Sequence, residues 1–205
     1  MGKLNKLFLI MVLILSPSSL LAEKVGSYAT YKWTSKTEVT KDVLYKTVSP
    51  DGKASYKVAK ETVKAKPVYL TYSILKATNK DYLVQIETRS EKNKEALSVT
   101  QVLMDRKTGK GINAVIKSPK DVPVPFPPGN ELIHISEKAV KDGKKVSVTV
   151  EGGTFNCLQG TFEGQDVCVS DEIPTLGIVK VNLKDGAAEL VESSPTGAKD
   201  LIKKK

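Results

Sequence analysis

Residues Val68–Arg89 read VYLTYSILKATNKDYLVQIETR. Val68, Leu70, Tyr72 and Ile74 occupy every second position. After Asn79-Lys80-Asp81, Tyr82, Val84, Ile86 and Thr88 do the same, set against Gln85, Glu87 and Arg89. A period of two puts successive side chains on opposite faces of an extended chain. The stretch therefore predicts a β-hairpin with one buried face and one wet face.

The same period runs outward in both directions. Val25, Ser27, Ala29, Tyr31 and Trp33 share a face, and Glu38–Val48 is rich in Thr and Val and ends at Ser49-Pro50-Asp51-Gly52, a hairpin signal. Ser98–Met104 leads through the turn Asp105–Gly109 into Ile112, Ala114 and Ile116. Val146, Val148 and Val150 alternate with polar residues, and Gly152-Gly153 allows a sharp bend before Thr154–Phe162. Glu163-Gly164-Gln165-Asp166 then turns the chain into Val167–Val169, and Lys184-Asp185-Gly186 joins Ile178–Leu183 to Ala187–Val191. Roughly ten short strands follow, the pattern of a mainly β protein: a strongly curved antiparallel sheet or half-barrel with at most a few short helices. Lys57–Lys66 and Asn130–Lys141 fit either a strand or a short helix.

Residues 23–192 are expected to form one domain. Within it, residues 119–129 hold five prolines in eleven positions. Proline lacks a ladder donor and cannot join a central sheet, so this segment is expected to run across the surface as a connector, or as a lid that docks through Phe126. The polar, basic tail 193–205 is expected to fray.

Met1–Ala22 reads as a secretory signal peptide. Lys3 and Lys6 precede an unbroken apolar run of nine, Leu7–Leu15, and Leu20-Leu21-Ala22 stands before Glu23-Lys24. The run is too short for a stable bilayer span, and the expected cut follows Ala22. This predicts an exported protein, periplasmic in the first instance and otherwise secreted, with no transmembrane span in the mature chain. Losing Lys3 and Lys6 lowers the net charge from +9 to +7, and Arg89 and Arg106 are the only arginines. Bidentate base and phosphate readout favours arginine, so no nucleic-acid partner is expected. The lysines suit an anionic envelope polymer or lipid head group, or serve as a solvated surface, and the expected partner is a hydrophobic or anionic envelope ligand.

Catalytic chemistry is sparse. His134 is the only histidine, set in Leu132-Ile133-His134-Ile135-Ser136, and reads as a structural or surface side chain. No metal site or cofactor is expected. A carboxylate-only hydrolase would have to use Asp105, Asp171 or Glu172, but adjacent Asp171 and Glu172 on a strand would point to opposite faces. The protein is therefore read as a non-enzyme. Cys157 and Cys168 are the only thiols, flanking an expected hairpin turn in a chain bound for an oxidising compartment. They are expected to form a disulfide, with two buried reduced thiols as the alternative. A turn centred on Gly164-Gln165 would pair Phe162 with Val167 instead, so the bridge needs a slip, a bulge or a turn nearer Phe162.

Val148–Cys157 (VTVEGGTFNC), Val167–Pro174 (VCVSDEIP), Gly177–Lys180 (GIVK) and Gly186–Val191 (GAAELV) come in an order that resembles a group of bacterial exported proteins thought to share the curved half-barrel of the LolA/LolB lipoprotein carriers. Val25–Tyr31 is similar to their opening strand and Asp105–Lys110 to their mid-sheet turn. The resemblance implies a fold and a non-catalytic role, and transfers no site residue. The expected function is that of an exported binding protein holding a lipid, acyl chain or other hydrophobic ligand on the concave face of the sheet. Tyr69, Tyr72, Tyr82 and Phe126 are the candidate wall or lid residues. The alternative is an envelope interaction protein with a filled core, whose basic surface or sheet edge contacts a protein or an anionic polymer.

Overall fold

The Val68–Arg89 hairpin forms as its alternation requires, and the rest of the fold is built beside it. In the computed structural model, residues 24–36, 38–48, 54–126 and 135–202 are described. They form β1 (Tyr28–Ser35), β2 (Glu38–Val48), β3 (Ala54–Lys64), β4 (Val68–Ala77), β5 (Asp81–Arg89), β6 (Ser98–Asp105), β7 (Gly111–Lys117), β8 (Val124–Phe126), β9 (Lys141–Val150), β10 (Gly153–Phe162), β11 (Gln165–Val169), β12 (Ile178–Leu183) and β13 (Gly186–Ser194). A 3-10 turn at Glu137–Ala139 is the one helical turn among the described residues. The leader Met1–Ala22, the turn Ser49–Gly52, Pro127–Gly129 and His134 lie outside the described residues.

Eleven strands make one open antiparallel sheet in the order β8-β7-β6-β5-β4-β1-β13-β12-β11-β10-β9. β2 and β3 form a separate two-stranded ribbon between β1 and β4, which pair directly with each other. Lys57–Lys64 is thus strand rather than helix. Val124–Phe126 joins the sheet opposite Ala114–Ile116, at its outermost position. The edge is where Pro125 can stand, since its missing N–H there leaves no inner ladder bond broken.

The register lays apolar side chains along one face. Tyr31 is opposite Leu70 and Leu190, Tyr72 is opposite Ala29 and Ile86, and Val84 is opposite Ile74 and Val102. Tyr31, Tyr72, Met104, Ile178, Val181 and Leu190 are fully buried. The rings of Tyr31 and Tyr72 meet edge to face with centroids 5.9 Å apart. The loop between β11 and β12 and the segment before β9 help to cover this face. Ile135 N–H donates to Leu176 O (2.9 Å), and Ile135, Ile173 and Leu176 join the core.

Bulges between Thr30 and Tyr31 and between Cys168 and Val169 bend the sheet. Its far end curls back. The turn between β9 and β10 reaches β13, where Gly152 N–H donates to Leu190 O (3.0 Å), and Lys32 pairs with Glu151 (3.1 Å). Gly186 shows what close approach demands of a residue. A Cβ there would come within 2.5 Å of the Trp33 ring and 2.6 Å of Thr34 O. The turn itself is Lys184-Asp185, and Gly186 is needed for space, since its φ is not positive.

Cys157 and Cys168 are bridged. The β10–β11 turn is Glu163-Gly164, both with positive φ, so Phe162 pairs with Gln165 and Gln159 with Cys168. Cys157 lies two residues along from Gln159 on the same face, a diagonal neighbour of Cys168, with the Cα atoms 5.6 Å apart. A turn one residue nearer Phe162 than expected is what permits the bridge. Cross-linking a loop of this length restricts the unfolded chain. Replacing both cysteines with serine is expected to cost about 3 kcal/mol of stability, read from the urea midpoint; an unchanged midpoint, or free thiols in the denatured native protein, would contradict the bridge.

Candidate functional site

The second face of the sheet was expected to be wet, and at its centre it is not. Gln85 is wholly buried, with Glu87 5% exposed. Both stand on the face opposite the apolar core, since Gln85 pairs with Ser73 and Gln101, and Glu87 with Thr71 and Val99. The C-terminal tail, expected to fray, is docked on Gln85. Ala198 N–H donates to Gly26 O (2.9 Å), the Gln85 amide donates to Lys199 O (2.8 Å), and Leu201 N–H donates to Gln85 Oε1 (3.0 Å). Gln101 Nε2 donates both to Gln85 Oε1 (3.0 Å) and to Asp200 Oδ1 (2.8 Å), and Asp200 also accepts from Ile202 N–H (3.1 Å).

The network continues toward the end of β5. Gln85 Nε2 donates to Glu87 Oε1 (3.1 Å), Glu87 forms an ion pair with Arg89, and Arg89 donates to Thr71 Oγ1 (3.2 Å), itself bonded to Thr30 Oγ1 (2.9 Å). Burial raises the Glu87 pKa above its ordinary 4.5, winning over the opposing pull of Arg89 and Gln85.

Arg89 opens onto a cleft of about 330 Å³, lined also by Lys94, Glu95, Ala96, Val99, Lys117, Ser118, Pro119 and Leu201. Each wall has a local cause. Val99 and Lys117 are directly paired on β6 and β7. Lys94 to Ala96 belong to the β5–β6 loop, held by Leu97 N–H to Thr88 O (2.7 Å) and by the Lys92–Glu192 pair (3.3 Å). Ser118 starts a turn closed by Asp121 N–H to Ser118 O (3.1 Å), and Leu201 is placed by the docked tail. Lys94, Lys117 and Glu95 make no ion pair among the described residues. The cleft thus presents three cations and one carboxylate, with Val99, Ala96, Pro119 and Leu201 as apolar surface. It is suited to an anionic group on an organic body.

The candidate wall residues separate. Tyr72 is in the core beside Tyr31, and burial holds its hydroxyl pKa up. Tyr82 is buried in a second apolar cluster with Ile74, Val84, Val102, Met104 and Ala114, and Arg106 lies over its ring (5.9 Å). Tyr69 falls on the opposite face, paired with Arg89 and Lys32. Phe126 lies on β8 at the sheet edge.

The three candidate carboxylates stand in different places. Asp105 accepts from the N–H and hydroxyl of Thr108 (2.7 Å each), bonds that hold its pKa below the usual range. Asp171 accepts from Glu137 N–H (3.1 Å), and Glu172 N–H donates to Ser170 Oγ (3.4 Å). A second cavity, about 480 Å³ and open, lies at the β4–β5 turn beside Thr78, Asn79 and Arg106. Among the described residues no group of three or more His, Cys, Asp or Glu side chains is placed to hold a metal ion. No helix among them is long and apolar enough to cross a membrane.

Sequence reasoning missed the cleft because Lys117 and Leu201 come from segments distant in sequence from Arg89 and Lys94. The signal for Arg89 and the polar side chains that hold it was present in the alternation of Gln85, Glu87 and Arg89, read as solvated. A carboxyl whose pKa is raised by folding holds its proton more tightly in the native state. Its stabilising contribution is therefore present below the ordinary 4.5 and lost as the pH rises through the raised value. The stability of the wild type minus that of Glu87→Gln should fall over this window in urea titrations at stepped pH; a constant or rising difference would contradict the burial of the charge.

No protein-family model, curated protein or solved structure matches this chain, so its functional reading rests on its own residues.

Proposed function

We propose that the protein is a non-enzymatic binding protein of the bacterial envelope that holds an amphiphilic ligand by its anionic group in the Arg89 cleft. The observation that carries this reading is the convergence of Arg89, Lys94 and Lys117, against the single carboxylate of Glu95, on one cavity that Val99, Pro119 and Leu201 also line. Arg89 is held in place by Glu87 and Thr71, so its guanidinium is pre-oriented, while Lys94 and Lys117 supply mobile charge. Several further features support the reading. The Cys157–Cys168 bridge is compatible with export through a periplasmic or other oxidising compartment, as the Met1–Ala22 leader suggests. The carboxylates a hydrolase would need are engaged in holding turns at Asp105 and Asp171.

One observation favours a second reading, a lipid or acyl chain held on the apolar face. Thr88, Ser98 and Thr100 share that face, with Thr88 opposite Ser98 and Thr100 opposite Ile86. Ser98 is 8% and Thr100 7% exposed, and none of the three hydroxyl oxygens has a hydrogen-bond partner among the described residues. A buried hydroxyl gains from any polar group brought to it.

Titration calorimetry with octyl phosphate, octanoate and octyltrimethylammonium separates the readings. Cleft binding predicts that the two anions bind, that the cation does not, and that the Lys94→Glu/Lys117→Glu double variant loses at least tenfold in affinity, about 1.4 kcal/mol. Anion binding untouched by the double variant but weakened by Ser98→Ala would favour the apolar face; equal binding of the cation would overturn the cleft.

A further inference from the structure

We infer that the β2–β3 ribbon is an arm that enters the headgroup layer of an anionic lipid bilayer. The ribbon stands apart from the main sheet: β2 and β3 pair only with each other, through eleven registered positions from Glu38 with Lys64 to Val48 with Ala54. At about 3.4 Å per residue it is about 37 Å long. A two-stranded ribbon without a third strand or a helix against it is marginal in water.

Its side chains are the wrong ones for a solvated hairpin. Leu44 is 62% exposed, Val58 63%, Tyr56 62% and Tyr45 45%. Leu44 is paired with Val58, and the next pair on that face is Lys46 with Tyr56. Tyr45 is paired with Lys57 on the reverse face. Large apolar surface is thus exposed on both faces of the arm.

Three features select the occupant. A protein groove covers one face of a ribbon and leaves the other in water, whereas a headgroup layer surrounds the arm and serves both faces. Tyrosine and lysine are the side chains that suit this layer, the ring at its depth and the ammonium reaching out along an apolar stem. The charge of the outer six pairs has one sign: residues 43–48 with 54–59 hold Lys46 and Lys57 and no carboxylate, and the first carboxylate of the paired strands is Asp42, opposite Lys60. Cations of one sign repel a second copy of the arm and attract anionic headgroups. The net charge, +7 once Lys3 and Lys6 leave with the leader, adds long-range attraction to the same surface.

The inference rests on residues distinct from those of the Arg89 cleft, and its test reads membrane binding without a cleft ligand. Co-sedimentation of the purified protein is measured with vesicles of phosphatidylcholine alone and with a quarter phosphatidylglycerol. The arm predicts binding to the anionic vesicles, at least tenfold weaker binding to neutral ones, and at least a tenfold loss in Leu44→Ser/Val58→Ser. A Tyr56→Trp variant keeps the ribbon's aromatic character and reports immersion as the difference in emission from the wild type, whose single tryptophan is Trp33 on β1. Its emission should shift to the blue and become shielded from iodide when anionic vesicles are added. Anionic binding that survives the double serine variant together with an unmoved Trp emission would place the contact on the basic body and overturn the arm. Absence of anionic binding in the wild type would overturn it as well. An acidic protein partner would show itself as binding to neither vesicle, with Trp emission unmoved.

Discussion

A glutamine with no exposed surface sits on the second face of the central strands. Leaving its amide dry and unpaired would cost on the order of 1–3 kcal/mol for each lost partner. Gln85 instead spends both ends of its amide: its nitrogen donates to Glu87 and Lys199 O, and its oxygen accepts from Gln101 and Leu201 N–H. Those bonds place the last turn of the described chain across β5 and β6. Glu87, bonded to Gln85 and Arg89, is itself only 5% exposed, and Leu201 becomes a wall of the cleft at Arg89. The polar layer and the cavity are thus consequences of one buried side chain.

This layer is continuous. It runs from Thr30 on β1 through Thr71, Arg89, Glu87, Gln85 and Gln101 to Asp200 in the tail. Buried hydrogen bonds of this kind strengthen one another in a medium of low polarity, and each member left alone is costly. The sheet is therefore fastened on both faces, by aromatic and aliphatic packing around Tyr31, Tyr72 and Leu190 on one and by polar side chains on the other. At its far end the β9–β10 hairpin is held by the Cys157–Cys168 bridge and by Gly152 against Leu190. The ribbon has neither kind of support, which is the reason its exposed Leu44, Tyr45, Tyr56 and Val58 call for an external surface.

The strands were legible in the sequence because period two survives any tertiary arrangement. Val68–Arg89, Val146–Val150 and Ile178–Leu183 are strands where the alternation places them. The cysteine pairing was legible up to its register, which depended on whether the turn began at Glu163 or Gly164, a difference that only backbone conformation decides. The absence of the proline segment from the middle of the sheet followed from the missing donors, but the pairing of Val124–Phe126 as an edge strand did not, since the segment read as a surface connector or lid. The docked tail was not legible: Thr196–Ile202 is short, polar and without periodicity, and its order comes from Gln85 and Gln101, more than ninety residues away. Without the tail, Gln85, Glu87 and Arg89 read as an ordinary solvated face, and the cleft that Arg89 and Lys117 line stays invisible. The ribbon's isolation was hidden for the opposite reason, since Thr- and Val-rich strands look alike inside a sheet and outside one.

Hydrogen exchange at the amides of Leu201 and Ile202 tests the central claim most directly. Both donate to side chains of the buried layer, Leu201 to Gln85 and Ile202 to Asp200. If the tail is part of the fold, these amides exchange at least about tenfold more slowly than a free chain end, and Gln85→Ala returns both to free-chain rates. Coil-like exchange in the wild type would mean that the tail is undocked, and both the buried polar layer and the cleft it walls would fall with it.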